Sequence, residues 1–338
     1  MRLVTFRDSK RLEPAVIVGN QLLSLSAAQA WWRSTRGGEV PTFDSILGYL
    51  QAGRKATQWV EALLNEVASN KVPEAFERSK LLRPLSEALL VSPIPRPPTM
   101  RDGYAFRQHV VTARRNRGLE MIPEFDQFPV FYFTNPEGVM GPGELRVQPM
   151  QLERLDFELE VAIVVGKTCT NLTVDNADSV IAGFTIMNDW SARAVQMEEM
   201  KLSLGPAKGK DFATSLGPWL VTPDELASRT TKSPKGNVYD LSMKAVVNGI
   251  QVSTGNAKDM TWTFAEILAR ASYGVTLRAG DVIGSGTCGT GCFLELNGSK
   301  ITDNQWLKPG DTVVLSIEGL GDLSNTIATA NEDTFIEE

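Results

Sequence analysis

Leu155-Asp156-Phe157-Glu158-Leu159-Glu160-Val161-Ala162-Ile163-Val164-Val165-Gly166 is the stretch on which the reading of the fold turns. Its apolar, β-branched run closed by glycine predicts a strand over Glu158 to Val165. Side chains on a strand alternate with period two, so Glu158 and Glu160 fall on one face. Two carboxylates on one face repel each other unless something positive sits between them. Asp156 shares their parity, so a merely solvated polar face is one reading. The other is a hard cation such as Mg²⁺ or Ca²⁺, which prefers oxygen ligands.

Three other segments carry chemistry-bearing residues. Met187-Asn188-Asp189-Trp190-Ser191-Ala192-Arg193-Ala194-Val195-Gln196 follows an apolar run and places Asp189 at a strand end. There it is either a turn-capping aspartate or a site residue, and a helical turn would present Arg193 and Gln196 beside it. Arg101-Asp102-Gly103-Tyr104-Ala105-Phe106-Arg107-Gln108-His109 contains the only histidine of the chain. A lone histidine is commonly structural, but any histidine base in this chain must be His109. Zinc sites built from several histidines of one chain are excluded. In Gly284-Ser285-Gly286-Thr287-Cys288-Gly289-Thr290-Gly291-Cys292-Phe293-Leu294-Glu295-Leu296 the glycines admit close backbone approach, yet no Gly-Lys-Ser/Thr follows to make a phosphate loop. Glu295 lies in a short apolar run, where an unpartnered carboxylate would be costly.

Around these segments the chain has 338 residues, 42% of them hydrophobic, enough for a large core. Its 34 basic and 40 acidic residues give a net charge of −6, and no basic cluster exceeds the Arg114, Arg115, Arg117 group, so nucleic acid is not an expected partner. No stretch approaches the roughly 20 apolar residues that span a bilayer, and the amino end lacks a basic region followed by an apolar core. No membrane partner and a cytoplasmic protein are the expectations. Cys169, Cys288 and Cys292 are odd in number and without paired spacing. They read as buried reduced thiols rather than as a disulfide framework.

Short strands are expected in the first 25 residues, at Leu3-Val4-Thr5-Phe6 and Ala15-Val16-Ile17-Val18, with a Gly19-Asn20 turn into Leu22-Leu23. Helical spacing takes over from about Ser26 to Lys80, as at Trp59, Leu63, Leu64 and Val67. Pro93, Pro95, Pro97 and Pro98 then mark an extended linker. The boundary is placed there, giving a small N-terminal β/α domain, 1–92, and a catalytic domain, 93–338. Strands are expected beyond it at Val180 to Asn188, Leu241 to Val247 and Asp311 to Ile317, in a mostly antiparallel arrangement. Asn248-Gly249 predicts a tight hairpin, and Thr263 to Ser272 an amphipathic helix with Thr263 as N-cap.

Together the segments resemble the fumarylacetoacetase family from about Pro93 to Ile327. Asp-Gly-Tyr-x-x-Arg-Gln-His, Glu-Leu-Glu, Met-Asn-Asp-Trp-Ser-Ala-Arg, Lys-Gly-Lys-Asp-Phe-Ala-Thr-Ser-Leu-Gly-Pro-Trp and Gly-Thr with a later Leu-Glu-Leu occur in the family's order. The resemblance implies a mainly β fold with some α, a mixed β-roll, and a metal-dependent hydrolase of aromatic amino acid breakdown that cleaves a C–C bond in a small acidic 1,3-diketone. It implies Asp102, Glu158, Glu160 and Asp189 as ligands of Mg²⁺ or Ca²⁺, with Mn²⁺ a third candidate. His109 and Glu295 are implied as the water-activating base and its orienting partner, and Arg193, Gln196 and Lys210 as groups that bind developing oxyanions. Tyr104, Tyr132 and Thr287 match positions that hold substrate, along with Arg193 and Gln196. A homodimer is implied as well; a 37 kDa particle in light scattering would count against it.

Some positions depart from the pattern. Ala194 stands where relatives often have aspartate, Cys288 and Cys292 decorate the glycine loop, and no arginine among Arg114, Arg115 and Arg117 aligns clearly as a distal-carboxylate ligand. Decarboxylases, hydratases and isomerases of 2-oxo acids share the metal carboxylates. Their shorter members carry a His-x-x-Glu arrangement, whereas Thr112 stands three residues after His109 and Glu295 lies in the Leu-Glu-Leu context. A non-catalytic protein binding a structural ion is the reading from another class.

Overall fold

The computed structural model describes residues 1–69 and 81–330. Apolar strands build two large sheets, beside two two-stranded ones, Leu155–Asp156 with Ser191–Ala192 and Thr230–Ser233 with Gly236–Tyr239. Among the described residues the larger runs Leu82–Pro84, Gln21–Ser24, Arg11–Val18, Arg2–Asp8, Thr214–Val221, Ile181–Asp189, Leu159–Val165, Val282–Gly284, Met100–Gly103, Phe131–Thr134. The smaller runs Ile250–Asn256, Ser242–Val247, Thr312–Ile317, Gly321–Thr329, Gly143–Val147. Most ladders are antiparallel, while Val282–Gly284 with Met100–Gly103, Gly321–Thr329 with Gly143–Val147 and Thr214–Val221 with Val139–Met140 are parallel. The fold is thus the expected sheet-dominated one with helices added.

The apolar run 161–165 lacks a polar face because both of its sides are covered. Val161, Ile163 and Val165 enter a core shared with Met243, Ala245, Leu315 and Leu323 of the smaller sheet. Ala162 and Val164 enter a second core with Leu216, Leu220, Met100 and Met187, closed by Trp31, Ile46, Trp59 and Leu63. The helices Leu25–Thr35, Ile46–Ala52 and Arg54–Ala68 supply that cover. The helical spacing expected between Ser26 and Lys80 therefore resolves into three helices up to residue 68, and residues 70–80 lie outside the described ones. The sheet continues across residue 93, since Leu3 pairs with Leu220 and Arg2 with Val221.

Local expectations are met where turn or cap chemistry dictates them. Asn248 and Gly249 have φ of 51° and 79°, as a type I′ turn requires, and Val247 pairs with Ile250. Thr263 caps the helix Phe264–Ser272 in a reciprocal box with Glu266. Two expectations need correction. The strand expected from Glu158 begins at Leu159, and Glu158 lies between it and the two-residue strand Leu155–Asp156, which pairs instead with Ser191–Ala192. Cys288 and Cys292 are buried free thiols, but Cys169 is half-buried, because it sits in an isolated bridge with Leu277 outside the regular ladders. Among the described residues no helix is long and apolar enough to cross a membrane.

Candidate metal and catalytic site

Three strands deliver acidic side chains to one place by parity. Met100, Ala162 and Met187 face the second core. Two residues after Met100 and Met187 stand Asp102 and Asp189, and two before Ala162 stands Glu160, on the same face where the apolar row ends. Asp102 pairs with Gly284, and Ala162 pairs with the same glycine from the other side. A Cβ on Gly284 would run into Asp102 Oδ1 and stand 3.0 Å from Glu160 Oε2, so only glycine leaves room for both carboxylates. Glu158 joins from the connection, its backbone N–H donated to Asn188 Oδ1 at 2.9 Å. Oxygen atoms of Asp102, Glu158, Glu160 and Asp189 all lie within 4.8 Å of one another.

This quartet is buried and only partly neutralised. Lys210 Nζ donates to Glu158 Oε2 at 2.7 Å and to Asp189 Oδ2 at 2.6 Å, and Tyr132 Oη donates to Asp189 Oδ2. Neither oxygen of Glu160 nor Asp189 Oδ1 receives a hydrogen bond. Orphaned buried carboxylate oxygens are costly, and an all-oxygen donor set suits a hard divalent cation, so the residues present fit such an ion. Burial, then the Asp189 charge, pushes Asp102 up to about 7; burial and the neighbouring carboxylates hold Glu160 well above its usual range. Burial also raises Glu158, but Lys210, Arg193 and His109 outweigh it and hold that carboxyl at about 2. Lys210 is pulled down by burial and lifted further by Asp189 and Glu158, so it stays charged.

Beside the quartet His109 Nδ1 lies 2.7 Å from Glu295 Oε2, joining residues 186 apart in the chain. His109 sits on the helix Arg107–Arg115 and Glu295 in the first turn of the helix Phe293–Gly298. Tyr104 packs edge-on against the imidazole with centroids 5.6 Å apart. Both groups border a cavity of about 840 Å³ that Asp102, Glu158, Arg193, Gln196, Lys210, Tyr132 and Thr287 also line, with Ile122, Val130, Met197, Met200 and Trp306 on its apolar wall. Arg114, Arg117 and Arg154 reach the same cavity, while Glu160 and Asp189 lie behind Asp102 and Glu158. All twelve site residues expected from the sequence thus lie in or beside one pocket.

The arginine is more committed than its expected role suggests. Arg193 Nε donates to Asp156 Oδ2 at 2.9 Å, Nη2 to Glu158 Oε1 at 2.7 Å and Nη1 to Gln196 Oε1 at 2.9 Å. Three of its five donors are engaged within the chain.

Residues that the sequence reading left without a role complete the frame. Asp156 is fully buried and turned away from the quartet. It accepts from the backbone N–H groups of Phe157, Phe293 and Leu294 at 2.8 to 2.9 Å as well as from Arg193. It therefore ties Arg193 to the helix that carries Glu295, placing a carboxylate at that helix N-terminus. Glu199 accepts from the N–H groups of Ala207, Lys208 and Gly209 at 2.6 to 3.0 Å, holding the loop that ends at Lys210. Parity flagged Asp156 as polar, and nothing local marks Glu199.

Such a site at the strand ends of such a sheet defines a class: sheet-rich α/β proteins whose chemistry lies in a carboxylate-floored cavity. Within that class residues 99–328 match the model described as fumarylacetoacetate (FAA) hydrolase C-terminal, and the chain belongs to that family. A fumarylacetoacetase of Oryza sativa subsp. japonica is 29% identical over 368 residues, covering 90% of this chain and 84% of that protein. An oxaloacetate tautomerase of Bacillus subtilis (strain 168) is 31% identical over 257 residues, covering 74% and 77%. The fold is also that of maleylpyruvate hydrolase from Sphingobium sp. SYK-6, solved in complex with manganese(II) ion and pyruvate: TM-score 0.67, 19% identity, 98% of this chain and 100% of the other covered.

Proposed function

We propose that this protein hydrolyses a C–C bond in a small acidic 1,3-diketone of the acylpyruvate or fumarylacetoacetate kind, as a homodimer. The observation that carries the reading is the contact between His109 Nδ1 and Glu295 Oε2, with His109 lining the same cavity as Asp102 and Glu158 of the carboxylate quartet. The manganese and pyruvate named for the maleylpyruvate hydrolase support a divalent ion and a 2-oxo acid moiety here. In this reading Asp102, Glu158, Glu160 and Asp189 hold Mg²⁺, Ca²⁺ or Mn²⁺. Such a cation, when bound, supplies Lewis-acid polarisation of two neighbouring substrate oxygens.

The chain's own groups do the rest. An ionised Glu295 keeps the proton on Nδ1 of His109 and leaves Nε2 free as a base. Nε2 takes a proton from water as the water oxygen adds to a carbonyl carbon. The C–C bond then breaks, its electron pair leaving as an enolate that the imidazolium reprotonates, so the products are a carboxylate and a ketone. Lys210, with the free donors of Arg193 and Gln196, faces the oxygens on which charge develops. Tyr104, Tyr132 and Thr287 hold the substrate.

The test is turnover on acylpyruvates, fumarylacetoacetate and oxaloacetate with Mg²⁺ present. His109→Ala should lower kcat on the best diketone about 100-fold or more while metal affinity barely changes, and Glu295→Gln should also act mainly on kcat. If both variants keep near-normal rates and oxaloacetate is the substrate consumed, the tautomerase or decarboxylase reading, which the oxaloacetate tautomerase relative favours, takes its place. Metal-dependent stabilisation with no turnover of any of them would favour a structural ion.

A further inference from the structure

We propose a second metal site, for a thiophilic divalent cation such as Zn²⁺, formed by His109, Cys292 and Glu295. One ligand atom from each lies within 4.8 Å of the other two, and all three residues are buried. Glu295 is 2% exposed; its Oε2 meets His109, but its Oε1 is buried with no partner at all. An unspent carboxylate oxygen beside a thiol and an imidazole is the deficit that a cation would fill. The donor set differs in kind from the quartet: one sulfur, one nitrogen and one oxygen suit a borderline-soft ion, four carboxylates a hard one. The two places therefore select different metals.

The scaffold is compatible with an ion. Cys292 immediately precedes the helix Phe293–Gly298, and Glu295, three residues on, shares a side of its first turn. Asn116 Nδ2 donates to the Glu295 carbonyl at 3.3 Å and ties this helix to the one bearing His109. Tetrahedral zinc spaces its ligand atoms by roughly 3.5 Å, between the 2.7 Å of the His109 Nδ1–Glu295 Oε2 contact and the 4.8 Å within which all three ligand atoms lie, so small side-chain shifts suffice. His109 lines the cavity, which offers a route from solvent. On binding, Cys292 Sγ releases its proton to solvent and the thiolate, the imidazole and Glu295 bond the ion. One proton leaves per ion. Resting on the His–Glu reading above, an ion seated here removes both the free base and its orienting carboxylate, so zinc inhibits where magnesium supports.

The experiment uses the full chain saturated with Mg²⁺ and titrated with Co²⁺ as a visible probe, then with Zn²⁺. Wild type should take up one Co²⁺ per chain with thiolate-to-cobalt charge-transfer absorption. Cys292→Ser should lose that absorption and bind Zn²⁺ at least about tenfold more weakly, whereas Cys288→Ser, outside the triad, should keep both. Absence of thiolate absorption in wild type, with Co²⁺ entering only the carboxylate quartet, overturns the site whatever the variants do. Absorption and stoichiometry need no turnover, so failure of the hydrolase reading leaves them intact. Zinc bound through Cys292 with diketone hydrolysis undiminished would support the site and sink the dyad.

Discussion

Asp156 illustrates how one side chain can hold a site it does not enter. It has the parity of Glu158 and Glu160, but its four accepted hydrogen bonds all go elsewhere, to Arg193 and to the backbone of residues 157, 293 and 294. Asp156→Ala would strand a buried guanidinium on fewer partners and leave three N–H groups unsatisfied. It should cost about 3–5 kcal/mol in urea unfolding, with Asp156→Asn intermediate, because the amide keeps one acceptor. A cost below about 1 kcal/mol for the alanine variant would show that these bonds are replaced by water.

The quartet sets a pH dependence with a definite sign. Burial and the neighbouring carboxylates push Asp102 up to about 7 and hold Glu160 well above its usual range, so the folded chain holds these protons more tightly than the unfolded chain does. That stability is complete below about pH 4 and is lost as pH rises through 7. Glu158, at about 2, acts oppositely, but its contribution is lost only below about pH 4, outside this window. The metal-free melting temperature should therefore fall between about pH 5 and about pH 8, and Mg²⁺ should flatten the slope by replacing protons. A metal-free profile that is level over this interval would mean that the carboxylates do not share one buried site.

At the scale of elements, the site depends on how closely three strands approach behind Gly284. Gly284→Ala adds a methyl that must displace Asp102 Oδ1 or Met187 Sδ, the latter only 2.7 Å from where the methyl would stand. The strand Val282–Gly284 can still form, since alanine fits its extended backbone and φ here is not positive. We expect folding to survive and Mg²⁺ affinity, measured by calorimetry, to fall about tenfold or more. Unchanged affinity would mean that the carboxylates do not need that space. The strand break at Phe157 and Glu158 belongs to the same scale. Two residues pair with Ser191–Ala192 and the next strand pairs with Ile181–Asp189, and the change of partner frees Asp156 to point away from its parity neighbours.

Over the whole molecule, the apolar packing behind the site draws on the first 68 residues as well as on the strands that carry the site. Leu3, Trp31, Trp59 and Leu63 share a core with Ala162, Val164, Leu216 and Leu220. The row that ends in Glu160 and Asp189 is thus backed by helices from the first 68 residues. Removing residues 1–92 would expose that core and leave Thr214–Val221 without its Arg2–Asp8 neighbour. Calorimetry of the full chain should show one cooperative transition, and a chain starting at residue 93 should bind no Mg²⁺. Two separate transitions, or an intact metal site in the shortened chain, would show instead that the two parts fold independently.

Where chemistry is local, the sequence by itself determined the outcome. The type I′ turn follows from Asn248-Gly249, the capping box from Thr263 and Glu266, and the buried character of residues 161–165 from their composition, because each depends on neighbours within a few residues. Motif order named twelve residues that lie in or beside one pocket, but period-two alternation does not account for Glu158, which reaches the quartet from the connection before the strand Leu159–Val165. Tertiary structure alone decided where Asp156 points, that Glu199 holds the loop before Lys210, that Arg193 is bound to two carboxylates, and that Cys292 stands beside the His–Glu pair. These are contacts between strands and helices distant in the chain. Their energy comes from desolvating groups together, a quantity that no short window of sequence contains.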